Sequence, residues 1–375
     1  MAGIYIHIPF CKKACIYCNF HFTTSLKNKQ ALLEALLIEI ELKKDYAGGE
    51  IIETIYFGGG TPSILHQSEI ERIFQAIYKH YVVIRNPEIT LEANPENLSG
   101  EYLAEIKESG INRLSIGIQS FHDRDLKYLG RIHSASQATN CVKNAQKAGI
   151  ENITVDLIYG IPGLTKKRWL ENIEIIRELD IPHFSAYSLT VEEKTILFNQ
   201  INKNIKKQPS EIQARHHFYD LCNFAVKNNY EHYEISNFAR KDFISKHNSS
   251  YWNGKKYIGI GPSAHSYDLI SRQWNIAVNN DYINKIQNKE VFFIKEELKR
   301  EDRINEKIML ALRTSNGLNV SEVYDQMSDN EKQLFSHVIQ LQIDNGFIIP
   351  IDSHVFLTRE GMWFSDRIIS DLFLT

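Results

Sequence analysis

Ile4-Tyr-Ile-His-Ile-Pro-Phe-Cys11-Lys-Lys-Ala-Cys15-Ile-Tyr-Cys18 decides how this chain is read. Its first residues form an apolar-rich run that predicts a buried strand, and Pro9 removes the amide that a continuing ladder would need. Directly after it comes a CxxxCxxC loop, with cysteines at 11, 15 and 18. Three thiolates so grouped can hold three irons of a four-iron cluster and leave the fourth open to a small molecule. Ligation of such clusters by thiolates, and their use with S-adenosylmethionine (SAM) in radical chemistry, are established cofactor strategies. A closed, tetrahedral Cys3His zinc site with His7 or His21 is the alternative, since Cys15-x2-Cys18-x2-His21 is also present. A buried strand ahead of the loop is a poor setting for a small zinc module, which favours the cluster.

Outward from this stretch, short apolar segments alternate with helix-like ones. Strands are predicted at residues 4–8, 54–57, 89–93, 113–118, 154–158, 184–189 and, more weakly, 232–235, with periodic helical stretches such as 30–44 and 68–81 between them. The alternation predicts an α/β chain: a parallel sheet covered by helices, with its chemistry at the C-terminal strand ends. Those ends carry the cysteine loop, Gly58-Gly59-Gly60-Thr61-Pro62, Glu92-Ala93-Asn94-Pro95, Gly117-Ile118-Gln119-Ser120, and Asp156 within the fifth strand. A Gly-Gly-Gly run lets backbone groups approach a ligand closely, because no Cβ stands in the way. Glu92, Gln119, Arg131 and Asp156 offer the donors and acceptors that a ribose, an ammonium and a carboxylate require. Each also has a plain structural explanation: a tight turn for the glycines, helix caps for Glu92 and Asp156, a satisfied core amide for Gln119. Their recurrence at successive strand ends is what points to a site.

The chain has 375 residues, 43% hydrophobic and 11% aromatic, enough for one barrel-sized domain and a small second one. A formal net charge of -3 gives no electrostatic case for nucleic acid or an anionic membrane. No apolar stretch approaches the roughly 18 residues of a membrane span, and no signal-peptide pattern opens the chain, so the cytoplasm is the expected location. Five cysteines, three of them in one loop, do not make a disulfide framework, and Cys141 and Cys222 read as inert core thiols.

Tyr5-Ile-His-Ile-Pro-Phe-Cys11, the CxxxCxxC loop, Phe57-Gly-Gly-Gly-Thr-Pro62, Leu91-Glu-Ala-Asn-Pro95, Leu114-Ser-Ile-Gly-Ile-Gln-Ser-Phe121, Leu129-Gly-Arg131 and Val155-Asp-Leu-Ile-Tyr-Gly-Ile-Pro162 follow one another in the first half of the chain. In this order they resemble the radical SAM proteins of the anaerobic coproporphyrinogen III oxidase family. The resemblance implies a [4Fe-4S] cluster on Cys11, Cys15 and Cys18, with SAM chelating the free iron and contacting Tyr5, Gly59 and Glu92. Gly60, Thr61, Gln119, Arg131 and Asp156 match positions that hold a second SAM in the oxidases. The implied fold is an incomplete (β/α)6 barrel, open on one side to admit a large substrate.

Within the family, the oxidases and the heme chaperones of the HemW type share all of these motifs. The oxidases carry a further cysteine two residues after the third, where this chain has Phe20, and a long arm ahead of the cluster, where only ten residues precede Cys11 here. Both departures favour the chaperone branch. A third feature is His247-Asn-Ser-Ser-Tyr251-Trp252, followed by Tyr257-Ile-Gly-Ile-Gly-Pro-Ser-Ala-His265. It resembles the HNxxYW motif of HemW proteins, whose histidine is proposed to bind heme. A neutral imidazole is a good axial ligand, and Tyr251 and Trp252 could pack on a porphyrin. Taken without the family, His247 reads as a satisfied loop histidine, and His265 and His232 are alternative ligands.

From residue 297 the pattern changes to helices at 305–312 and 330–343, a strand pair around 346–350 and 355–359, and a last helix from Glu360. This order resembles a small winged-helix-like α+β module, whose mixture of acidic and basic residues suits packing or partner docking rather than DNA. The expected organisation is therefore a radical SAM partial barrel over 1–235, a connecting segment with the HNxxYW motif over 236–296, and the C-terminal module over 297–375. The expected function is a heme chaperone that passes heme to an acceptor such as a respiratory enzyme, with transient membrane association and a homodimer both compatible. The alternative is an oxygen-independent coproporphyrinogen III dehydrogenase, which decarboxylates porphyrinogen propionates by radical chemistry.

Overall fold

The structure, a computed structural model, describes residues 1–374. Alternation along the first strand sets the geometry of everything after it. In β1 (Ala2–Ile8), Ile4, Ile6 and Ile8 are fully buried on one face, while Tyr5 and His7 point to the other. Parallel to it run β2 (Ile52–Gly59), β3 (Val83–Ala93), β4 (Arg113–Gln119), β5 (Asn152–Tyr159) and β6 (His183–Ser188), in that spatial order. The helices Lys29–Leu42, Gln67–His80, Gly100–Glu108, Ala135–Lys147 and Lys166–Glu178 connect them. Side-chain oxygens of Ser99, Ser134 and Thr165 accept the first free amides of three of these helices, which fixes where each begins.

β1 and β6 are not neighbours, so the six parallel strands form an open barrel, as expected. Past β6 the sheet continues through β7 (Glu231–Glu234) and β8 (Asn237–Ala239), with β8 antiparallel to β6 and β7 at the edge. Past β1 it continues through β9 (Tyr257–Ile260), parallel to β1, and then β10 (His265–Tyr267), β11 (Ser271–Asn275) and β12 (Phe293–Glu297), all antiparallel to their neighbours. The strands of residues 236–296 thus belong to the same twelve-stranded sheet, and the boundary expected at 235/236 falls inside the β7–β8 hairpin.

A buried polar knot fastens this extension to the barrel. Glu39, on the helix Lys29–Leu42, accepts from the Gly261 amide at 2.7 Å, Asn275 Nδ2 at 2.6 Å and the Tyr282 hydroxyl. Lys43, 2.9 Å from Glu39, donates to the Gly259 carbonyl at 2.8 Å and Asn275 Oδ1 at 3.1 Å. Every partner in the knot is satisfied, as a buried ion pair requires.

The C-terminal module has its own core, built on Ile304, Ile308, Leu318, Phe335, Val355 and Ile368. The helices Arg300–Leu312, Val320–Tyr324 and Asp329–Asp344 precede the hairpin β14 (Ile348–Ile351) and β15 (His354–Leu357), and β15 also pairs with the short β13 (Leu318–Asn319). Two final helices, Arg359–Trp363 and Ser365–Asp371, follow. Trp363 packs on Phe218, with ring centroids 5.8 Å apart, and Glu360 takes both Arg215 and Tyr219, which seats the module on the barrel helix Glu211–Lys227.

Candidate cluster and cofactor site

Pro9 ends β1, and the chain turns into a cysteine loop that is pinned on both sides. Cys11 N donates to the Thr23 carbonyl at 3.0 Å, Thr23 N to Pro9 O at 2.8 Å, and Gly60 N to Ile8 O at 2.9 Å. Farther along, Ile16 N reaches Leu129 O at 3.4 Å, and Ile16 O accepts from Leu197 N at 2.8 Å. Cys11, Cys15 and Cys18 are free, half-buried, and line one cavity of about 410 Å³. Burial pushes the Cys11 thiol up to about 11 and raises the Cys18 thiol too. Such thiols give up their protons when a metal binds them.

The two histidines of the zinc alternative are engaged elsewhere. His7 Nδ1 bonds Tyr5 Oη at 3.2 Å and its Nε2 the His21 carbonyl at 3.0 Å, while His21 Nε2 bonds Asn279 Oδ1 at 2.7 Å. Among the described residues, no three His, Cys, Asp or Glu side chains converge on the position of a single ion. Three soft sulfur donors at one mouth, two of them accepting hydrogen bonds, fit a polynuclear cluster.

The same cavity collects most of the residues expected from the strand ends: Gly59, Gly60, Thr61, Glu92, Gln119, Arg131 and Asp156. Glu92 is held by the Tyr56 hydroxyl at 2.9 Å and the Gly59 amide at 3.1 Å, and burial pushes its carboxyl up to about 7. Burial likewise pushes Asp156 up to about 6, opposed by a hydrogen bond from Ser185. Gln119 has φ of 70°, where the pairing of β4 with β5 slips, so a non-glycine residue occupies a left-handed conformation at the site. Arg131 sends Nη1 to Cys15 Sγ at 3.2 Å and Nη2 to Asn94 Oδ1 at 2.7 Å and Gly117 O at 2.6 Å. Tyr5 stands outside the lining, stacked on Tyr56 with centroids 6.0 Å apart.

The glycine run has a packing reason that its sequence did not disclose. A Cβ at Gly58 would lie 2.8 Å from the Tyr5 ring, one at Gly59 2.6 Å from the His7 ring, and one at Gly60 2.7 Å from the Phe10 carbonyl. The glycines therefore make room for the chain's own β1 and cysteine loop. The sequence singles out neither Asn94 nor Tyr56. Asn94 lies within Leu91-Glu-Ala-Asn-Pro95, whereas nothing in the sequence marks Tyr56 beyond its inward position in β2.

The HNxxYW segment forms the short helix Lys246–Trp252, whose first amides are capped from β3 by Glu88, at 3.0 Å to Lys246 N and 2.9 Å to His247 N. His247 is 1% exposed. Its Nδ1 bonds Thr54 Oγ1 at 2.7 Å, its Nε2 bonds Tyr251 Oη at 2.9 Å, and its ring stacks on Tyr56 at 4.8 Å. Burial pushes it down to about 3, so it is neutral. Tyr251 packs edge-on against Tyr257, and Trp252 lies 6.0 Å from the Arg313 guanidinium of the C-terminal module. The expected heme ligand thus has both nitrogens occupied in this conformation, and of the motif only Asn248 reaches the cavity. His232 is likewise bonded, through Nε2 to Ile235 O at 3.0 Å, while His265 is exposed and stacks on Trp274.

Comparison with known proteins places this geometry. Residues 5–176 match the Radical SAM superfamily, and residues 298–364 match the HemN C-terminal domain. A heme chaperone HemW from Lactococcus lactis subsp. lactis is 33% identical over 371 residues, spanning 99% of this chain and 97% of that protein. The protein of the same name from Bacillus subtilis is 33% identical over 96% of both. This chain belongs to the HemW family of radical SAM proteins. Its fold matches that of the solved coproporphyrinogen III oxidase (HemN) from Escherichia coli, a radical SAM enzyme, with a TM-score of 0.86 over 99% of this chain and 90% of that one. At 21% identity that likeness concerns the fold. In this HemW-family chain the radical SAM match spans the cysteine loop and β1 to β5, whereas the HNxxYW helix lies between the two matched regions.

Proposed function

We propose that this chain is a heme chaperone, which binds heme and a SAM-liganded [4Fe-4S] cluster and passes heme to an acceptor protein in the cytoplasm. The observation that carries the reading is the near-full-length similarity to proteins named heme chaperone HemW. Phe20, 71% exposed where the oxidases have a further cysteine, supports it from the site itself.

Cys11, Cys15 and Cys18 would hold the cluster, which when bound supplies an iron open to the amino and carboxylate groups of SAM. Glu92 would take the ammonium once its carboxyl is ionised, and the Tyr56 hydroxyl and Gly59 amide keep that carboxylate aimed into the cavity. Gln119 and Asp156, which line the same cavity, would offer a donor and an acceptor to a ribose. His247, Tyr251 and Trp252 remain the heme residues the family implies, and ligation by His247 needs the Thr54 or Tyr251 bond to open.

The test is an anaerobic heme titration of cluster-reconstituted protein, following the Soret band for wild type, His247→Ala and His265→Ala. Saturable binding weakened by His247→Ala supports the reading and its ligand. Binding weakened only by His265→Ala keeps the function and moves the ligand to the exposed histidine. An absence of specific binding by wild type removes the reading. The cavity with its paired carboxylates and Arg131 also suits a porphyrinogen decarboxylase, so product analysis after incubation with coproporphyrinogen III decides between the two.

A further inference from the structure

Two of the three cluster cysteines are joined by a continuous chain of side-chain hydrogen bonds. Thr61 Oγ1 donates to Cys11 Sγ at 3.4 Å, Asn94 Nδ2 donates to Thr61 Oγ1 at 3.1 Å, Arg131 Nη2 donates to Asn94 Oδ1 at 2.7 Å, and Arg131 Nη1 donates to Cys15 Sγ at 3.2 Å. Each partner fixes the next. A hydroxyl has one proton, so Thr61 gives its own to sulfur only while Asn94 supplies the bond it accepts. Asn94 can do so only with its amide nitrogen toward Thr61, and the guanidinium on its oxygen enforces that orientation. The Gly117 carbonyl, 2.6 Å from Nη2, holds Arg131 from the β4 side. Among the described residues no carboxylate lies within ion-pair distance of Arg131, and its buried Nε is unbonded. Glu96 and Asp156 feel its charge from farther off, and of the groups it hydrogen-bonds only Cys15 Sγ can carry a negative charge.

We propose that Thr61, Asn94 and Arg131 act as one positioning unit that raises the reduction potential of the cluster. The inference rests on the cluster assignment made above and concerns the protein whether or not it chaperones heme. Adding an electron makes the cluster and its thiolates more negative, so donors to sulfur stabilise the reduced form more than the oxidised one. The arginine contributes most, because a charged donor in a dry site acts through a low dielectric. The unit gives Thr61 and Arg131 work at the thiolates, beside the second-SAM positions they match in the oxidases.

The test is an anaerobic, dye-mediated reductive titration of the reconstituted cluster without SAM or heme, read from its visible absorption and its reduced-state EPR signal. Arg131→Gln is expected to lower the reduced-to-oxidised ratio at fixed potential at least tenfold, a displacement of about 59 mV for one electron. Thr61→Val, which keeps volume and removes the hydroxyl, shifts the couple in the same direction by less, and Arg131→Lys restores part of the loss. Lys12→Gln removes the same charge from the exposed side of the loop and leaves the couple nearly in place, because solvent screens it. Equal shifts from Lys12→Gln and Arg131→Gln, or no shift from Thr61→Val and Arg131→Lys, overturn the proposal. If Arg131→Gln fails to take up a cluster, the Thr61→Val and Arg131→Lys titrations decide it. Failure of the wild type to assemble any cluster defeats the cluster assignment itself, an outcome distinct from a cluster whose potential ignores these residues.

Discussion

His247 Nε2 and the Tyr251 hydroxyl lie 2.9 Å apart on successive turns of one seven-residue helix, so the histidine of the HNxxYW motif is closed by the tyrosine of the same motif. The i, i+4 spacing that makes the motif recognisable is also the spacing that puts both side chains on one helix face. Replacing His247 by Ala removes two buried hydrogen bonds and leaves the Thr54 and Tyr251 hydroxyls unpaired. The expected cost is about 2 to 4 kcal/mol of stability, measured by denaturant unfolding of the cluster-free protein. An unchanged midpoint would show that the helix is not anchored through this ring. The experiment matters for any heme titration, since lost binding must be separated from a loosened helix.

The role proposed for Glu92 predicts a SAM affinity that depends on pH. Its carboxyl, held at about 7 by burial, is largely protonated at pH 6 and largely ionised at pH 8. A protonated acid attracts an ammonium weakly, so calorimetric titration of the clustered protein should show SAM binding weaken several-fold as the pH falls across that interval. In the cluster-free, SAM-free protein the sign is opposite. A carboxyl raised in the folded state favours folding below the ordinary carboxylate range, and this contribution is lost as pH rises through about 7. Glu92→Gln should therefore unfold at higher denaturant than wild type at pH 8, by on the order of 2 kcal/mol, with little difference at pH 5. A Glu92→Gln protein with the wild-type pH profile would show that this carboxyl does not titrate in that window.

Gly60→Ala tests whether the glycine run serves the cysteine loop. The added methyl would meet the Phe10 carbonyl at 2.7 Å and the Phe10 nitrogen at 2.8 Å, backbone atoms that cannot rotate away. Overpacking of this kind costs about 1 to 3 kcal/mol, and here the strain falls on the residue next to Cys11. Iron and sulfide analysis after reconstitution should show reduced cluster occupancy in a chain that still folds. Full occupancy would show that the loop yields more easily than its hydrogen bonds suggest.

Gln119→Gly separates the site from the fold. Glycine relieves the left-handed backbone at φ of 70°, a gain of about 1 kcal/mol, and adds a similar entropic cost, so stability should be nearly unchanged. SAM affinity should fall, because the amide leaves the cavity wall. A variant that binds SAM as wild type does would assign Gln119 to shaping the β4 end alone.

The barrel strands and the cysteine loop were legible because each rests on a local signal: β-branched runs such as Thr154-Val-Asp-Leu-Ile158 and unusual residues where they end. None of the added strands β9 to β12 was expected, and in β11 the segment Ser271-Arg-Gln-Trp-Asn275 carries no apolar run. Its position depends on Glu39 and Lys43, more than two hundred residues upstream. The thiolate bridge escaped for a related reason. Asn94 becomes informative only when three strand ends are brought together, and its neighbours Glu92 and Pro95 had already accounted for the motif. The reading of His247 as a satisfied histidine was available from the sequence, yet no property of one chain segment reveals that Thr54 and Glu88 wait for it.

Those two partners make the helix conditional on the barrel. A seven-residue helix has too few turns to persist by itself in water. Thr54 stands on β2 and Glu88 on β3, both strands of the parallel sheet. The segment 246–252 therefore takes its form from the barrel, and Arg313 of the C-terminal module lies over Trp252. One seven-residue segment thereby joins three parts of the molecule, two barrel strands and the C-terminal module.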